Sequence, residues 1–225
     1  MKIEEVPLFH GNDKSFYEKA SKHLLLKKCS SRSVIFHEGD FLKSGTYILK
    51  SGIIVISKVN QFGTETSVGV KYPGEIFGWS TSIDSGPASG KATAIIDSEY
   101  WLVPYLFVMD LLENNYFIKN LLKYLMNYVR INENFITNVH SISALEKVLF
   151  QLLNISVPND SNDTLTLHHS FNQGIISTFA GVSRETVSRV MKTLKLKKVL
   201  TLDEHKNIII NSTLAKKTLD KAKSA

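Results

Sequence analysis

The sequence predicts an α+β fold in which a β domain, a long helix and a small C-terminal helical domain follow one another. Three observations carry this prediction: glycine-separated apolar runs in the first half, a heptad-like apolar repeat near the middle, and two short amphipathic segments joined by a tight turn near the end. The chain has 225 residues, of which 43% are hydrophobic and 21% charged, and this is enough for two domains with packed cores.

Residues 33–109 predict the β domain. Short apolar or alternating runs are separated by glycines about ten residues apart, which is the rhythm of a sandwich, barrel or jelly roll. An amphipathic stretch around Asp13–Lys22 precedes them. The runs expected to form strands are Val34–Phe36, Tyr47–Leu49, Ile53–Ile56, Ser67–Val70 and Tyr100–Val103.

The spacing of apolar residues changes between Tyr105 and Asn138, which predicts a long helix. Its a and d positions form a seam for a partner, and a stripe beside the seam leaves one face for the β domain and one for a second copy. The alternative is a core helix packed on the β domain alone. Asn132, the polar member of the seam, either fixes dimer register or faces a ligand. The seam is Ile118, Leu121, Leu125, Tyr128, Asn132, Phe135, Val139 and Ile142, and the stripe is Leu122, Val129 and Ile136.

Charge is distributed unevenly on the two sides of residue 140. Residues 1–140 hold 15 Lys and Arg against 14 Asp and Glu, whereas residues 141–225 hold 12 against 7. Most of the net charge of +6 therefore lies in the last third, as expected of a regulatory domain followed by a nucleic-acid-binding domain. A lysine-rich solvated surface is the alternative.

In this last third, Ala144–Asn154 predicts a helix and Thr164–His168 a strand.

Cysteine content and the N-terminus restrict the compartment. The single Cys29 excludes an internal disulfide and forms no CxxC zinc pattern. Residues Met1–Pro7 lack the basic and apolar regions of a secretory signal, and no run approaches the roughly 20 apolar residues that span a bilayer. The sequence therefore predicts a cytoplasmic protein with no membrane partner.

Residues Asn172–Leu194 predict a helix-turn-helix. The connection Ala180–Val182 contains Gly181, whose backbone tolerates the turn, and Ser183 stands where it caps the second helix. Beyond it, Val199–Leu202 and Ile208–Ile210 predict two strands across a polar turn, the wing of a winged helix. The apolar residues are Ile175, Ile176 and Phe179 on the first helix, and Val187, Val190, Met191 and Leu194 on the second.

The second of these helices carries side chains suited to DNA. Arg184, Glu185, Ser188 and Arg189 share the face opposite the apolar stripe. Arginine donates two hydrogen bonds to guanine O6 and N7, and glutamate accepts from cytosine N4, so we expect Arg184, Glu185 and Arg189 to contact bases in the major groove. The alternative is an ordinary surface helix with an ion pair between Glu185 and Arg189. The residues expected near phosphates are Ser183, Thr186 and Lys192.

Three motifs, Val34–Asp40, Gly74–Gly78 and, most specifically, Gly181–Arg189, follow one known pattern. Through them the sequence resembles the Crp/Fnr (cAMP receptor protein) family of bacterial transcription regulators. The resemblance implies a double-stranded β-helix (β-roll, jelly-roll-like) effector-binding domain over residues 1–104, a dimerisation helix over 105–140 and a winged helix DNA-binding domain over 141–225.

The same resemblance implies what the protein does and with which partners. It implies a homodimer without enzymatic activity that reads a two-fold DNA operator close to TGTGA-N6-TCACA, with half-sites about one helical turn apart. RNA polymerase is implied as a further partner, partly through the loop matched by Pro158–Asp163.

The effector pocket departs from the family pattern. Cyclic-nucleotide-binding members carry a glutamate for the ribose hydroxyl and an Arg-Ser pair for the phosphate, but here Trp79 stands at the glutamate position and Ser89–Gly90 at the pair. A cyclic phosphate would lose a charge-assisted hydrogen bond, so we expect a small effector other than cAMP. Lys91 replaces the arginine if the alignment shifts slightly, which keeps an anionic effector open. The expected pocket is Gly78, Trp79, Ser80, Ser89, Gly90, Lys91, Asn132 and Glu133.

Other interpretations stay open. Trp79 either stacks on an effector or fills the place of a lost nucleotide site, which would leave a constitutively active protein. No cofactor or metal is predicted, although a haem sensor would use His37 or His140 as an axial ligand. A cupin-type enzyme with an appended nucleic-acid domain would need a His-x-His pair, and the β segment contains only His37. His168 and His169, adjacent in a predicted strand, are expected to point to opposite faces.

Overall fold

The computed structural model describes residues 1–83, 86–139, 143–159 and 163–223, with only the backbone described at residues 131, 132, 134–139 and 221–223. The chain divides into two compact units, Met1–Glu133 and Asn134–Ala225. The first unit contains the β domain and most of the long helix, and the second contains the helix-turn-helix. The division falls within the long helix.

The first unit is built on two antiparallel four-stranded sheets, which confirms the predicted β domain. Its strands are β1 (Leu25–Cys29), β2 (Val34–Phe36), β3 (Gly45–Ser51), β4 (Ile54–Val59), β5 (Glu65–Lys71), β6 (Ile76–Phe77), β7 (Lys91–Ala94) and β8 (Ser98–Pro104). One sheet has the order β1-β8-β3-β6 and the other β2-β7-β4-β5. Consecutive strands thus alternate between the sheets, as in a jelly roll, except that β4 and β5 form a hairpin within the second sheet.

Side chains of both sheets meet in an aromatic core inside the roll. The ring of Tyr47 stacks on Phe77 at 5.2 Å and on Phe36 at 5.7 Å between centroids. The ring of Tyr100 meets Tyr47 edge-on at 5.5 Å. Small side chains on the facing strand, among them Ala92, are fully buried and leave room for the rings. The interior of the roll is therefore filled by its own side chains.

A second core, which we call the helix-side core, lies between the first sheet and the helices of this unit. The helices are α1 (Lys14–His23), α2 (Ser80–Ile83), α3 (Tyr105–Leu112) and α4 (Asn115–Val139), with 3-10 turns at Ile3–Glu5 and Pro7–Phe9. Asp13 begins α1, because its Oδ1 accepts the Phe16 N–H at 2.9 Å. The buried residues of this core include Val6, Phe9, Ile48, Trp101, Val103, Phe107, Leu111, Phe117 and Leu121.

The predicted long helix is interrupted near its start. The chain leaves α3 at Glu113 and begins α4 at Asn115, so two helices replace the single helix expected over residues 105–140. Asn114 stands at the junction: its Oδ1 accepts the Phe117 N–H at 2.8 Å, and its Nδ2 donates to Asn12 Oδ1 at 2.8 Å. Because the amide both caps α4 and holds the N-terminal segment, the break is a built feature of the fold.

Replacing Gly45 by alanine is expected to destabilise the first unit by about 2–4 kcal/mol. Gly45 has a φ of +137°, and an added Cβ would overlap the carbonyl oxygen of Val103 on the paired strand. Gly63→Ala is the matched control: its φ of +78° is also positive, but a Cβ there meets nothing within 4 Å, so only about 1 kcal/mol of backbone strain is expected. Urea unfolding followed by fluorescence of Trp79 and Trp101 measures both, and equal losses would contradict the overlap.

The second unit has the predicted winged helix arrangement. Its helices are α5 (Ala144–Asn154), α6 (Gln173–Ala180), α7 (Arg184–Leu196) and α8 (Ser212–Lys223), and its strands are β9 (Val157–Pro158), β10 (Thr164–Leu167), β11 (Leu200–Leu202) and β12 (Ile208–Asn211). The sheet order is β11-β12-β10-β9. Ser143 and Glu146 form a capping box at the start of α5. The predicted helix 144–154 and the two wing strands are confirmed.

Candidate nucleic-acid interface and effector region

The turn between α6 and α7 is fixed by its backbone and by one side chain. Gly181 ends α6 in the left-handed conformation, with φ of +62°, and its N–H donates to the Ser177 carbonyl at 3.0 Å. Glycine adopts this conformation without the penalty that a Cβ imposes. Ser183 then caps α7, because its Oγ accepts the Thr186 N–H at 3.2 Å. The predicted helix-turn-helix is confirmed in each of these details.

The two faces of α7 differ sharply in burial. Val187, Val190, Met191 and Leu194 are buried against the rest of the unit. The opposite face exposes the predicted base-contacting residues Arg184, Glu185 and Arg189, together with Ser188 and the predicted phosphate-contacting Lys192. Burial of one face fixes the orientation of α7, so the charged face is held outward.

Thr186, which is predicted to lie near a phosphate, takes part in hydrogen bonds within the first turn of α7. It is half-buried, and its Oγ1 lies 3.1 Å from Ser183 Oγ and accepts a hydrogen bond from Arg189 Nη2 at 3.3 Å. The Thr186 hydroxyl therefore orients the Arg189 guanidinium toward the N-terminal end of α7. Of Ser183, Thr186 and Lys192, only Lys192 extends freely from the exposed face, since Ser183 serves as the cap.

Glu185 keeps its charge at the start of α7. Hydrogen bonds from its own backbone N–H and from the Ser183 hydroxyl lower the pKa of the carboxyl group. Within the described ranges Glu185 and Arg189 form no ion pair within 4 Å, so the ordinary surface pair is not formed. Both side chains therefore remain available to an outside partner.

A groove runs beside the C-terminal half of α7. It has a volume of about 410 Å³. Lys195 and Gln173, the latter at the start of α6, line the groove but are not among the residues predicted from the sequence. The sequence does contain a signal for Lys195, because residues 184, 188, 192 and 195 are spaced so that they share one face of the helix. The groove is lined by Gln173, Ser188, Met191, Lys192, Lys195 and Leu196. Its lysines extend the basic face beyond Arg189.

The two adjacent histidines do not point to opposite faces, so that expectation was wrong. β10 ends at Leu167, and the rings of His168 and His169 lie 4.2 Å apart in the turn that follows. His168 Nδ1 accepts the Ser170 N–H at 3.2 Å, and burial followed by the neighbouring His169 lowers the pKa of His168. Within the described ranges, no group of three or more His, Cys, Asp or Glu is placed to hold a metal ion.

Trp79 lies in the helix-side core rather than at the mouth of a pocket. It packs with the second core of the first unit and faces Ile48, Ile76 and Val108 across a cavity of only about 10 Å³, roughly the room for one water. Gly78 turns the chain toward it with φ of +66°. This placement is the one expected of a tryptophan that fills the place of a lost nucleotide site, while stacking of Trp79 on an effector stays a prediction.

Lys91, the residue on which an anionic effector would depend, is already paired with a carboxylate. Its Nζ lies 2.7 Å from Glu65 Oε1, and the same oxygen accepts the Ser57 hydroxyl at 2.6 Å. Hydrogen bonds from Lys91 and Ser57 lower the pKa of Glu65, which favours its charged carboxylate. Of the neighbouring predicted residues, Ser89 is exposed, Gly90 is buried and Ser80 begins α2. None of these four residues lines the small cavity beside Trp79.

A second lysine, missed from the sequence, lies between the β domain and α4. Lys71 ends β5, and its Nζ donates a hydrogen bond to Tyr124 Oη at 2.6 Å. The same ammonium lies 5.3 Å from the ring centroid of Tyr124 and 5.9 Å from that of Tyr128. Burial lowers the pKa of Lys71 and raises that of Tyr124. No local sequence pattern joins residues 71, 124 and 128, so the cluster is visible only in the fold.

The apolar seam of α4 is divided between the chain's own core and solvent. Leu121 is 5% exposed within the helix-side core, which corrects its assignment to a dimer seam. Ile118 and Leu125 are partly buried beside it and Tyr128 is 45% exposed, so the seam role of these three residues stays a prediction. The neighbouring stripe is exposed: Leu122 by 54%, Met126 by 52% and Val129 by 42%. Glu133 is exposed, whereas the side chains of Asn132, Phe135, Ile136 and Val139, and residues His140 and Ile142, lie outside what the structure describes.

The exposed stripe of α4 borders a groove of about 570 Å³. Its lining combines the apolar Leu122 and Met126 with polar residues on both sides, and consists of Asn115, Ile118, Lys119, Leu122, Lys123, Met126, Asn127 and Arg130. We call Leu122, Met126 and Val129 the outer stripe.

None of the helices in the described ranges combines the length and hydrophobicity needed to cross a lipid bilayer.

Comparison with known proteins agrees with both units. Residues 26–115 match the cyclic nucleotide-binding domain family, and residues 146–213 match the Crp-like helix-turn-helix domain family. The chain is 27% identical over 199 residues to the cyclic AMP receptor protein of Thermus thermophilus, covering 87% of this chain and 88% of that protein. It is 26% identical over 190 residues to the regulatory protein HlyX of Actinobacillus pleuropneumoniae, covering 82% and 77%.

Solved structures share the fold. FixK2 from Bradyrhizobium japonicum matches with a TM-score of 0.71 at 20% identity, covering 86% of this chain and 96% of that chain. A variant of CooA from Carboxydothermus hydrogenoformans matches with a TM-score of 0.72 at 14% identity, covering 97% and 95%.

A cyclic nucleotide-binding-type roll joined to a winged helix with an exposed arginine face defines a class: DNA-binding transcription regulators with an effector-binding domain. The chain belongs to the Crp/Fnr family of these regulators. Members of this family are not enzymes, so the cupin-type enzyme is not retained.

Proposed function

We propose that this regulator acts as a homodimer and reads a two-fold operator close to TGTGA-N6-TCACA. The observation that carries the proposal is the face of α7, on which Arg184, Glu185 and Arg189 are exposed on a helix whose other face is buried. The two arginines suit guanine and the glutamate suits cytosine in the major groove. Lys192 and Lys195 supply positive charge for flanking phosphates.

The outer stripe of α4 supports the homodimer. Three large apolar side chains, each more than two-fifths exposed, follow one another at spacings of three and four along the helix. Packing two copies of such a stripe against each other removes both from water and gives a symmetric, self-complementary contact. Two copies also provide two recognition helices, which a two-fold operator requires.

We propose that the effector is a small molecule other than cAMP, bound between the roll and α4. Ser89 and Gly90 carry no positive charge, and Lys91 is neutralised by Glu65, so a cyclic phosphate finds no free cation among the residues expected to hold it. The aromatic core inside the roll further favours an effector without a phosphate. The Thermus relative is named for cyclic AMP; the proposal for this chain differs.

Cyclic AMP is therefore expected to bind at least about 100-fold more weakly than an authentic effector. Each lost charge-assisted contact costs about 1.5–3 kcal/mol, and two are absent here, the glutamate contact to the ribose hydroxyl and the arginine contact to the phosphate. Isothermal titration of the purified chain with cAMP, alone and with operator DNA present, measures this. Micromolar binding, or a rise in operator affinity at micromolar cAMP, would show that the pocket is a cyclic nucleotide site after all.

The remaining partners follow from the site of action. A regulator of transcription meets DNA and RNA polymerase in the bacterial cytoplasm, and we propose both the location and the polymerase contact. The loop Pro158–Asp163, implied for that contact, lies partly outside the described residues.

Titration of labelled duplexes tests the proposed function. The full chain, with a small-molecule extract of bacterial cells added to supply the effector, is titrated into a TGTGA-N6-TCACA duplex and into one with both half-sites scrambled. A preference of about 10³-fold or more for the operator is expected. Equal affinity for the two duplexes, with and without the extract, overturns the proposal.

A further inference from the structure

We propose that Lys71 is a positioning residue that couples the roll to the long helix and so sets the geometry in which α7 meets DNA. The inference rests on the proposed function, because it assigns the contact through which the effector-binding domain controls DNA binding. Lys71 does not touch DNA in this account. It acts through Tyr124 and Tyr128 of α4.

The position of Lys71 in the fold gives it this role. It ends β5, which is the outermost strand of the second sheet, next to β4. The helix-side core attaches α4 to the first sheet through Ile118, Leu121 and Leu125. The Lys71 ammonium adds a separate tie between the second sheet and the same helix, so movement between the sheets or at the end of β5 is transmitted to α4.

The Lys71 ammonium is held in place by one hydrogen bond and two aromatic rings. A hydrogen bond of 2.6 Å to Tyr124 Oη fixes the end of the side chain, and two aromatic faces within 6 Å favour a cation over a neutral group. Tyr124 is itself partly buried against the helix-side core. A change in the position of Lys71 therefore shifts or rotates α4 instead of merely bending a loose side chain.

The surroundings of Lys71 act on its charge in two opposite directions. Burial disfavours the charged form, whereas the Glu75 carboxylate nearby favours it. Glu75 is engaged in the adjoining turn, where its Oε2 accepts the Tyr72 N–H at 2.7 Å. Within the described ranges Lys71 forms no ion pair within 4 Å. Its direct contacts are therefore the two tyrosines, while Glu75 acts on its charge from farther away.

Along the chain, α4 crosses from the first unit into the second at residues 133 and 134. The tyrosines lie less than three helical turns before that crossing. A contact that fixes α4 here biases every residue that follows in the helix, and two alternative arrangements of a packed helix are the usual basis of such coupling.

Four variants of the full chain separate coupling from simple packing. Lys71→Met keeps the apolar stem and removes the charge, Lys71→Arg keeps a cation for the aromatic faces, and Tyr124→Phe removes only the hydroxyl acceptor. Lys27→Met, at an exposed position on β1, is the matched control for the loss of one positive charge. Operator affinity, urea unfolding and amide hydrogen exchange in α4 are measured for each.

Lys71→Met is expected to weaken operator binding by about 3- to 30-fold and to accelerate hydrogen exchange over residues 118–130, with the unfolding midpoint unchanged. Lys71→Arg restores most of the affinity, and Lys27→Met stays at the wild-type value. Adding Tyr124→Phe to Lys71→Met causes no further loss, because the two residues act through one contact.

Two results overturn the inference: Lys71→Met that binds the operator and exchanges like wild type, or losses of affinity that simply follow losses of stability and are not restored by arginine. A wild-type chain that does not prefer the operator overturns the proposed function instead. The exchange rates in α4 are read without DNA, so they decide the coupling contact separately.

Discussion

Replacing Arg189 by alanine is expected to weaken binding to a TGTGA-N6-TCACA duplex by about 1–3 kcal/mol per half-site, while binding to a scrambled duplex changes far less. The guanidinium lies on the exposed face of α7 and is steered by Thr186 Oγ1 at 3.3 Å. Removing it deletes a bidentate contact to one base pair. Selectivity at that base pair should relax, whereas selectivity elsewhere in the half-site should persist.

Lys192→Ala is the matched control on the same helix face. Its flexible ammonium contacts phosphates in this account, so the change should weaken operator and scrambled duplexes about equally and reduce the salt dependence of binding by about one unit per copy. Fluorescence anisotropy titrations at several salt concentrations give both quantities. Equal losses on both duplexes for Arg189→Ala would contradict base reading by this residue.

Placing glutamates at Leu122 and Val129 together is expected to abolish the dimer. The two positions are 54% and 42% exposed in the single chain, so the substitution leaves its core intact while setting charges against an apolar partner surface. A monomer presents one recognition helix, and operator affinity should fall by about 10²- to 10⁴-fold as the linked second contact is lost. Sedimentation gives the mass and anisotropy gives the affinity.

Leu106→Glu is the control for this change. Leu106 is 78% exposed on α3 and lies off the outer stripe, so a glutamate there adds one exposed negative charge, against two in the tested variant, without disturbing the proposed contact. This variant should remain dimeric and bind the operator like wild type. If the Leu122 and Val129 variant stays dimeric, the outer stripe is not the interface.

The DNA-reading face follows from the sequence because its determinants are local. A capping serine, a turn glycine and an apolar stripe of helical period fix both the start and the orientation of α7, so the exposed residues can be named before the fold is known. The strands of the roll are predictable for a similar reason, since each apolar run is bounded by turn glycines.

The effector region is less predictable because its contacts join residues far apart in sequence. Lys91 meets Glu65 across neighbouring strands, and Lys71 meets α4 more than fifty residues later. A motif shows that Trp79 replaces a glutamate, but only the packing shows which core the indole enters. The apolar pattern of α4 likewise cannot say which residues its own domain buries, as Leu121 illustrates.

The positions of the charged side chains in the structure explain the uneven charge distribution of the sequence. The basic excess of the last third includes Lys192 and Lys195 on the exposed face of α7, where a polyanion would bind. In the first unit, several lysines are instead neutralised, as where Glu99 holds Lys28 at 2.8 Å and Lys50 at 2.9 Å. Those hydrogen-bonded pairs lower the pKa of Glu99 to about 2 and offset the charge of the two lysines.

Selection of binding sites from a random pool of duplexes tests the central claim most directly. The full chain, with the small-molecule extract present, is used to enrich duplexes over several rounds, and the recovered sequences are aligned. The account predicts a two-fold symmetric motif with TGTGA-like half-sites whose centres lie about one helical turn apart. Recovery of no common motif, or of a motif without two-fold symmetry, would contradict a dimer that reads DNA through α7.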